Sequence, residues 1–555
     1  MKIKVSELIV RYLQRLGIDT IFGIPGAHIL PVYDALYGSD IQAVLAKHEQ
    51  GAAFMAVGYA KSSAKISACI ATAGPGATNL ITGIANAYAD KLPVLVITGE
   101  APTYLFGKGG LQESSGEGGC LDQAGLFKHI TRYSKMVERT DYLPQVLIQA
   151  AKALLHPNPG PVLLSIPFNV QKEQVDENLL DGLAIKPQTI PSPHDIGMLD
   201  RFCELIFDAG QPVIVAGYGA IRSGAQSVMT ELSNLLHIPV ASSLKGKGVV
   251  SEQSELSLGS LGVTSNGIAY QYIVERSDLL IILGAGFNER TSYLWDQSLL
   301  GGRKIIQVDC DPHQLEKVFE AELAVCGDIK QVISALLERI RHRLDEENHT
   351  PAGNGKIPHL PSASNGDYAL FKSGFSLAET LFEKLALFFP ENTRVFDDNI
   401  IFAQNFYQVS SNNHYYPNSG ISSLGHAIPA AIGAQFNQQM PTFAILGDGG
   451  FQMCCMEIMT AVNYDKPINI VLFNNGTMGL IRKNQHQLYQ QRFINCDFNN
   501  PDYSHLARSF AINYKQVTTL DDLDELFEEY DLKQAINLID IAIDKDAYPN
   551  YSSKR

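Results

Sequence analysis

Residues 66–99, ISACIATAGPGATNLITGIANAYADKLPVLVITG, change hydrophobic period twice within one short run. ISACIAT is a continuous apolar run of strand length, and GPG at 74–76 supplies a turn. ATNLITGIANAYAD places apolar residues at helical spacing, and PVLVITG is a second unbroken apolar run. Strands that are apolar on both faces, joined by a helix, specify a parallel sheet covered by helices on both sides. The same alternation recurs outward. A second block holds PVIVAGYGAI (212–221), the helix AQSVMTELSNLL, the strands IPVASSL, DLLIILGAGF and KIIQVDCD, and a helix around 329–342. A third holds FSLAETLFEKLALFF, RVFDD, AIPAAIGAQF, TFAILGDGG and INIVLFNNG. Between these two, RLDEENHTPAGNGKIPHLPSASNGDYA (343–369) is polar, aperiodic and rich in Pro, Gly and Ser, which reads as an interdomain linker. The expected fold is therefore α/β, with three doubly wound parallel-sheet domains over about 1–180, 190–342 and 370–555.

A length of 555 residues suits about three domains of ~100–200 residues each. With 45% apolar and 18% charged residues the chain buries large cores. Its 43 Lys and Arg against 58 Asp and Glu give a net charge of −15, which argues against a nucleic-acid footprint. The eight cysteines form no CxxC pattern, so reduced thiols in a cytoplasmic protein are expected rather than disulfides or zinc. The opening MKIKVSELIVRYLQRLG reads as an amphipathic helix, and no run approaches the ~20 apolar residues of a membrane span.

The strongest chemical signal is Gly447-Asp448-Gly449, followed after 24 residues by Asn474-Asn475. The strand TFAIL runs into the GDG turn, where small residues let backbone N–H groups approach a phosphate at the start of a helix. Asp448 supplies one hard oxygen. The returning strand INIVLF brings Asn475 to the same sheet edge, and the carbonyl of Thr477 can face the same point. That set of oxygens suits Mg²⁺ between two phosphates. A lone GDG is an ordinary turn; the spacing and both flanking strands give this one its meaning.

Residues 448–477 resemble the diphosphate-binding signature of the thiamine diphosphate enzymes, and the likeness extends along essentially the whole chain. AKHEQGAAFMAVGYA (46–60) resembles the segment of the cofactor-activating glutamate, which falls on Glu49. FGIPGAHILPVYDAL (22–36), with Pro25 and Gly26, and the 66–99 stretch, with Asn79, resemble the family's opening strand-turn-helix units. NSGISSLGHAIPAAIGAQ (418–435) resembles the stretch that touches the aminopyrimidine through Ser422 and Leu424 and props the bent cofactor on Leu424. Gly447, Asp448, Gly449, Gly450, Asn475, Thr477, Met478 and Gly479 complete the implied cofactor site, with Asp448, Asn475 and Thr477 on the metal. The group most resembled is acetolactate synthase.

That resemblance implies decarboxylation of a 2-oxo acid such as pyruvate, with transfer of the acyl-anion unit to a carbonyl acceptor. Glu49 shares a proton with the pyrimidine, its carboxyl expected to be raised in pKa by an apolar cleft, and Gln112 lies over the reacting centre. The implied assembly is a homodimer or homotetramer, with the Glu-bearing domain of one subunit facing the GDG-bearing domain of another. Three departures bear on the acceptor. ESSGEGGCL (113–121) adds about six Gly-rich residues and reads as a flexible loop. Asn484 stands where biosynthetic members carry tryptophan, and Lys128 where a pocket arginine is usual. Leu480 would wall the donor side or simply fill the core. The only tryptophan, Trp295, reads as packing. GYGAIRSG (217–224), SLKGKG (243–248), GAGFNER (284–290) and VDCD (308–311) resemble FAD-binding segments and equally any nucleotide-fold remnant, with Gly286 replacing an arginine. FAD and a vestigial site both stay open. So do a larger ketone or ketosugar acceptor, a decarboxylase that forms no C–C bond, and a non-catalytic homologue.

Overall fold

The computed structural model describes residues 1–183, 185–186, 196–346 and 374–549. Three six-stranded sheets, each wholly parallel, are interleaved with helices. The first contains Thr20–Gly23, Gln42–Leu45, Ser67–Ala71, Val94–Glu100, Tyr133–Met136 and Val162–Pro167. The third contains Arg394–Asp397, His414–Pro417, Thr442–Gly447, Asn469–Asn474, Asn513–Val517 and Asn537–Ala542. Counted in chain order within each sheet, both run 2-1-3-4-6-5, whereas the central sheet runs 3-2-1-4-5-6. In the outer sheets the order reverses between the first and third strands, and ligands of open α/β sheets bind beyond the strand ends at such a point. The GPG and GDG turns both follow the third strand, so the two outer domains place their glycine turns equivalently.

Local differences from the sequence reading have simple causes. Lys2–Lys4 is not the start of the first helix: it pairs antiparallel with Gln174–Asp176, because Ile3 is buried between two exposed lysines. The helix begins at Val5. The helix Ile329–Glu346 runs four residues into the stretch read as linker, its apolar residues continuing the helical period. The rest of that stretch, 347–369, lies outside the described residues.

The outer domains are joined by the helices Glu49–Ser63 and Ala427–Asn437. Residues 51–60 of the first and 427–435 of the second are all buried, so neither helix has a solvated face there. Their backbones touch. A Cβ on Gly58 would lie 1.9 Å from the carbonyl oxygen of Ala430, and one on Gly433 would lie 2.0 Å from that of Met55. Glycine is required at both positions by this approach, not by its backbone angles.

A buried ionic junction adds the central domain. Asp90 is 2% exposed and binds Lys61 Nζ at 2.8 Å and Lys245 Nζ from the central domain. Burial opposes its charge, yet the two ammonium groups prevail and hold its carboxyl below the usual range. The backbone of Gly420, from the C-terminal domain, abuts the same carboxylate.

Replacing Gly58 by alanine must push two helix backbones apart, and over-packing of this kind costs about 1–3 kcal/mol. Chemical denaturation should show that loss for Gly58→Ala, and little change for Gly38→Ala, where a Cβ meets nothing within 4 Å.

Candidate functional site

At the carboxyl edge of the third sheet lies a mostly apolar cleft of about 340 Å³. Ser422, Leu424, Gly447, Asp448, Gly449, Gly450, Asn475, Thr477, Met478, Gly479 and Leu480 all line it. The helix Asp448–Cys454 starts directly after the strand Thr442–Gly447. Asp448 is 1% exposed, and its carboxylate ties the two strand ends together. Oδ2 accepts from the backbone N–H groups of Asn475 at 3.0 Å and Gly476 at 2.6 Å, and from Asn500 Nδ2 at 2.8 Å. Asn475 Oδ1 accepts from the Thr477 N–H at 3.2 Å. Ser422 takes a positive φ of 57°, which turns the backbone into the cleft ahead of Leu424.

The N-terminal domain gathers a second set. Glu49 is the first residue of its helix, half-buried, and its Oε2 accepts from Asn79 Nδ2 at 2.9 Å. Gly76 of the GPG turn faces its other oxygen. Nearby, Gln112 has a φ of 54°, an uncommon conformation for a residue with a side chain. Its Oε1 lies 3.2 Å from His28 Nδ1 and accepts from Thr72 Oγ1 at 3.3 Å. Gly26 packs against Thr72, while Pro25 is exposed at the strand end.

Within one chain these two sets stay apart. Glu49, Asn79, Gln112, Pro25, Gly26 and Lys128 contribute nothing to the lining of the C-terminal cleft. Lys128 is exposed at the end of the short helix Gln123–Phe127. Asn484 is half-buried on the helix Gly479–Leu488 and does not line the cleft. Trp295, read as packing, is 45% exposed and follows Tyr293 and Leu294 in a run of positive φ. The loop after Gln112, read as flexible, is folded around a carboxylate. Glu113 is 7% exposed and accepts from the N–H groups of Gly107 at 2.5 Å and Gly110 at 2.9 Å and from Ser115 Oγ at 2.8 Å.

The structure adds residues that the sequence reading passed over. His28 and Thr72 meet Gln112 only through the strand order. Arg290, in the GAGFNER segment of the central domain, reaches the rim of the C-terminal cleft. Asp398 lines the cleft and takes the N–H groups of Gly425, His426 and Ala427 at 2.7, 3.2 and 2.9 Å. It thereby fixes the turn that carries Leu424. The paired aspartates of RVFDD were the available signal. Burial pushes the carboxyl of Asp398 up to about 7, and that of its neighbour Asp397 likewise.

Comparison with known proteins agrees with this architecture. Three family models match: the thiamine pyrophosphate enzyme N-terminal TPP binding domain over residues 3–121, the central domain over 199–336 and the C-terminal TPP binding domain over 399–541. The chain belongs to the thiamine pyrophosphate enzyme family. Its relatives include the probable acetolactate synthase large subunit of Methanocaldococcus jannaschii, 33% identical over 564 residues covering 98% of this chain and 92% of the relative. That of Methanococcus aeolicus is 31% identical, covering 97% and 92%, and the acetolactate synthase large subunit of Corynebacterium glutamicum is 32% identical, covering 98% and 87%. Within its family the chain is acetolactate synthase-like.

A carboxyl with a raised folded-state pKa binds its proton more tightly folded than unfolded, so its share of stability is lost as pH rises from the unfolded value toward the folded one. Between about pH 4 and about pH 7 the wild-type unfolding free energy should therefore decline relative to that of Asp398→Asn. Denaturant titrations across that range check it, and a wild type that gains on the variant contradicts it.

Proposed function

We propose that this chain is a thiamine diphosphate- and Mg²⁺-dependent carboligase of acetolactate synthase type, a lyase or transferase. It decarboxylates a 2-oxo acid, pyruvate first, and passes the acyl-anion unit to a carbonyl acceptor. The observation that carries the reading is the cleft at the GDG turn, where glycines, Asp448 and Asn475 meet at a sheet edge in a chain of this family. The residues fit the cofactor. The donor set offers one carboxylate with amide and carbonyl oxygens, as Mg²⁺ between phosphates prefers.

Asp448, Asn475 and the Thr477 carbonyl would hold the metal, the turns around Gly449 and Gly479 the diphosphate, and Leu424 the underside of the cofactor. Bound there, the cofactor supplies the electron sink that decarboxylation needs. The chain does the rest. Glu49 shares a proton with the pyrimidine, oriented by Asn79. Gln112, braced by His28 and Thr72, orients the acceptor oxygen, and Arg290 offers a cation for a substrate carboxylate in a largely apolar cleft. A larger ketone or ketosugar acceptor is the second reading, resting on the residues 113–121 that this chain adds next to Gln112 and that fold around Glu113.

The separation of the Glu49 and Asp448 sets within one chain supports an assembly in which a second copy supplies the missing half. Met453, Met456 and Ile421 stand 61, 56 and 41% exposed beside the cleft-forming segments, as a surface to be covered by that copy would. FAD is not part of the proposal. A Cβ on Gly217 would lie 2.2 Å from Gly284 O, and one on Gly219 2.7 Å from Gly284 Cα, so packing of the two turns on each other already accounts for these glycines. All eight cysteines are free of disulfides, which favours a reducing compartment such as the cytoplasm. No described helix is long and apolar enough to cross a membrane.

Anaerobic turnover of pyruvate with Mg²⁺ and thiamine diphosphate, read by carbon dioxide release and product mass, tests the activity. Acetolactate supports the first reading; release that an added ketone accelerates supports the second; aldehyde alone contradicts both. Glu49→Gln should lower turnover by about 10²–10⁴-fold with cofactor affinity largely kept, the range of a lost acid–base group. Asp448→Ala should instead abolish the Mg²⁺ dependence of cofactor binding in a calorimetric titration. The purified protein should lack flavin absorbance, and stoichiometric flavin overturns the reading of the central domain.

A further inference from the structure

The turn that presents Glu49 is gripped from a different domain. Glu457 closes the short helical run Cys455–Glu457, which follows the helix beginning at Asp448, and it is 3% exposed. Its Oε1 accepts from the backbone N–H groups of Lys47 at 3.0 Å and His48 at 2.9 Å. Its Oε2 accepts from Thr460 Oγ1 at 2.8 Å. Gly51 leaves room for the carboxylate, since a Cβ there would stand 2.1 Å from Oε1. A carboxylate taken out of water at a domain boundary is costly unless it is hydrogen-bonded, and here both oxygens are engaged.

The two amides it holds immediately precede Glu49. His48 is the helix cap, with extended backbone angles, and its ring accepts from the Gln50 N–H at 3.1 Å. The path of the chain at 47–48 therefore sets where the helix starts and in which direction the first side chain leaves it. Glu49 bonds Asn79 and, among the described residues, no group of the C-terminal domain of its own chain; Glu457 makes that connection through the backbone.

We infer that Glu457 is a positioning residue for Glu49: by fixing the amides of Lys47 and His48 it sets the direction of the proton-sharing carboxylate. This rests on the reading of Glu49 given above. What matters is the reach of the side chain rather than its charge. Glutamine keeps one oxygen at the same distance for both amides, and the Thr460 hydroxyl can turn to accept from its NH₂. Aspartate keeps the charge but is one methylene too short.

The test compares Glu457→Gln, Glu457→Asp and Glu49→Gln in the full-length protein. Two readouts are taken: amide hydrogen exchange at Lys47 and His48 without cofactor, and exchange of the thiamine C2 proton into deuterated water at saturating cofactor. Glu457→Asp should lose the amide protection and slow C2 exchange about 10–100-fold, the scale of a misplaced catalytic group. Glu457→Gln should keep both, and cofactor affinity should hold in each. The inference is overturned if Glu457→Asp exchanges C2 at the wild-type rate, or if Glu457→Gln falls as far as Glu457→Asp. Should Glu457→Asp not fold, Gly51→Ala displaces the same carboxylate and is expected to show the same two losses, with unchanged exchange again decisive. Wild-type C2 exchange in Glu49→Gln defeats the reading of Glu49 itself. Slow exchange there with a normal Glu457→Asp defeats only the positioning role.

Discussion

The contact on which the rest of the molecule depends is the crossing of two helix backbones at Gly58 and Gly433. No side chain separates them: each glycine faces a carbonyl oxygen of the other helix at a distance that a methyl group cannot share. One helix begins at Glu49, and the other begins where Asp398 gathers three backbone N–H groups below the cleft. A single close approach therefore sets the starting points of the segments that build both halves of the site. Interiors are close-packed and resist small changes of volume, so the spacing is held firmly. The Asp90 junction braces the same arrangement from the side of the central domain, and Glu457 ties its N-terminal end.

The geometry has a consequence for assembly. The outer domains share one strand order, and each puts a glycine turn and its polar residues at its own switch point, yet the two sets do not line one cleft. On the proposed reading, Glu49 and the cleft residues Asp448 and Asn475 act on one cofactor only when they come from different copies. Self-complementary association is the common route to such sites, because a closed two-fold dimer makes both at once. On that reading the helix crossing also fixes the segments that one copy offers to another.

Much of this was legible in the residues. The change of period within 66–99 points to the parallel-sheet architecture, the spacing from Gly447 to Asn475 points to the GDG turn, and the family resemblance adds Ser422, Leu424 and Gly450 and the residues from Met478 to Leu480, all of which line the cleft. What stayed hidden depended on contacts across sequence distance. Glu457 carries no local mark, since its partners lie 409 and 410 residues away. His28 meets Gln112 only because the strands before them, Thr20–Gly23 and Val94–Glu100, flank Ser67–Ala71 in the sheet. The glycines of the loop at 113–121 read as flexible, but Glu113 is held by Ser115 within it and by the backbone N–H groups of Gly107 and Gly110 just before it, which no count of glycines reveals. Asn484 and Lys128 were placed by resemblance alone and lie away from the cleft within the chain.

The central claim, that a working site needs two copies of the chain, is tested most directly by mixing subunits. Glu49→Gln and Asp448→Ala chains, each inactive by itself, are unfolded together, refolded and assayed. Sites shared between copies predict that hybrid dimers regain one intact site, returning about a quarter of wild-type activity after random pairing in a two-fold dimer. Mixtures that stay as inactive as their components, although hybrids are shown to form, would contradict the account, because each chain would then carry its whole site alone.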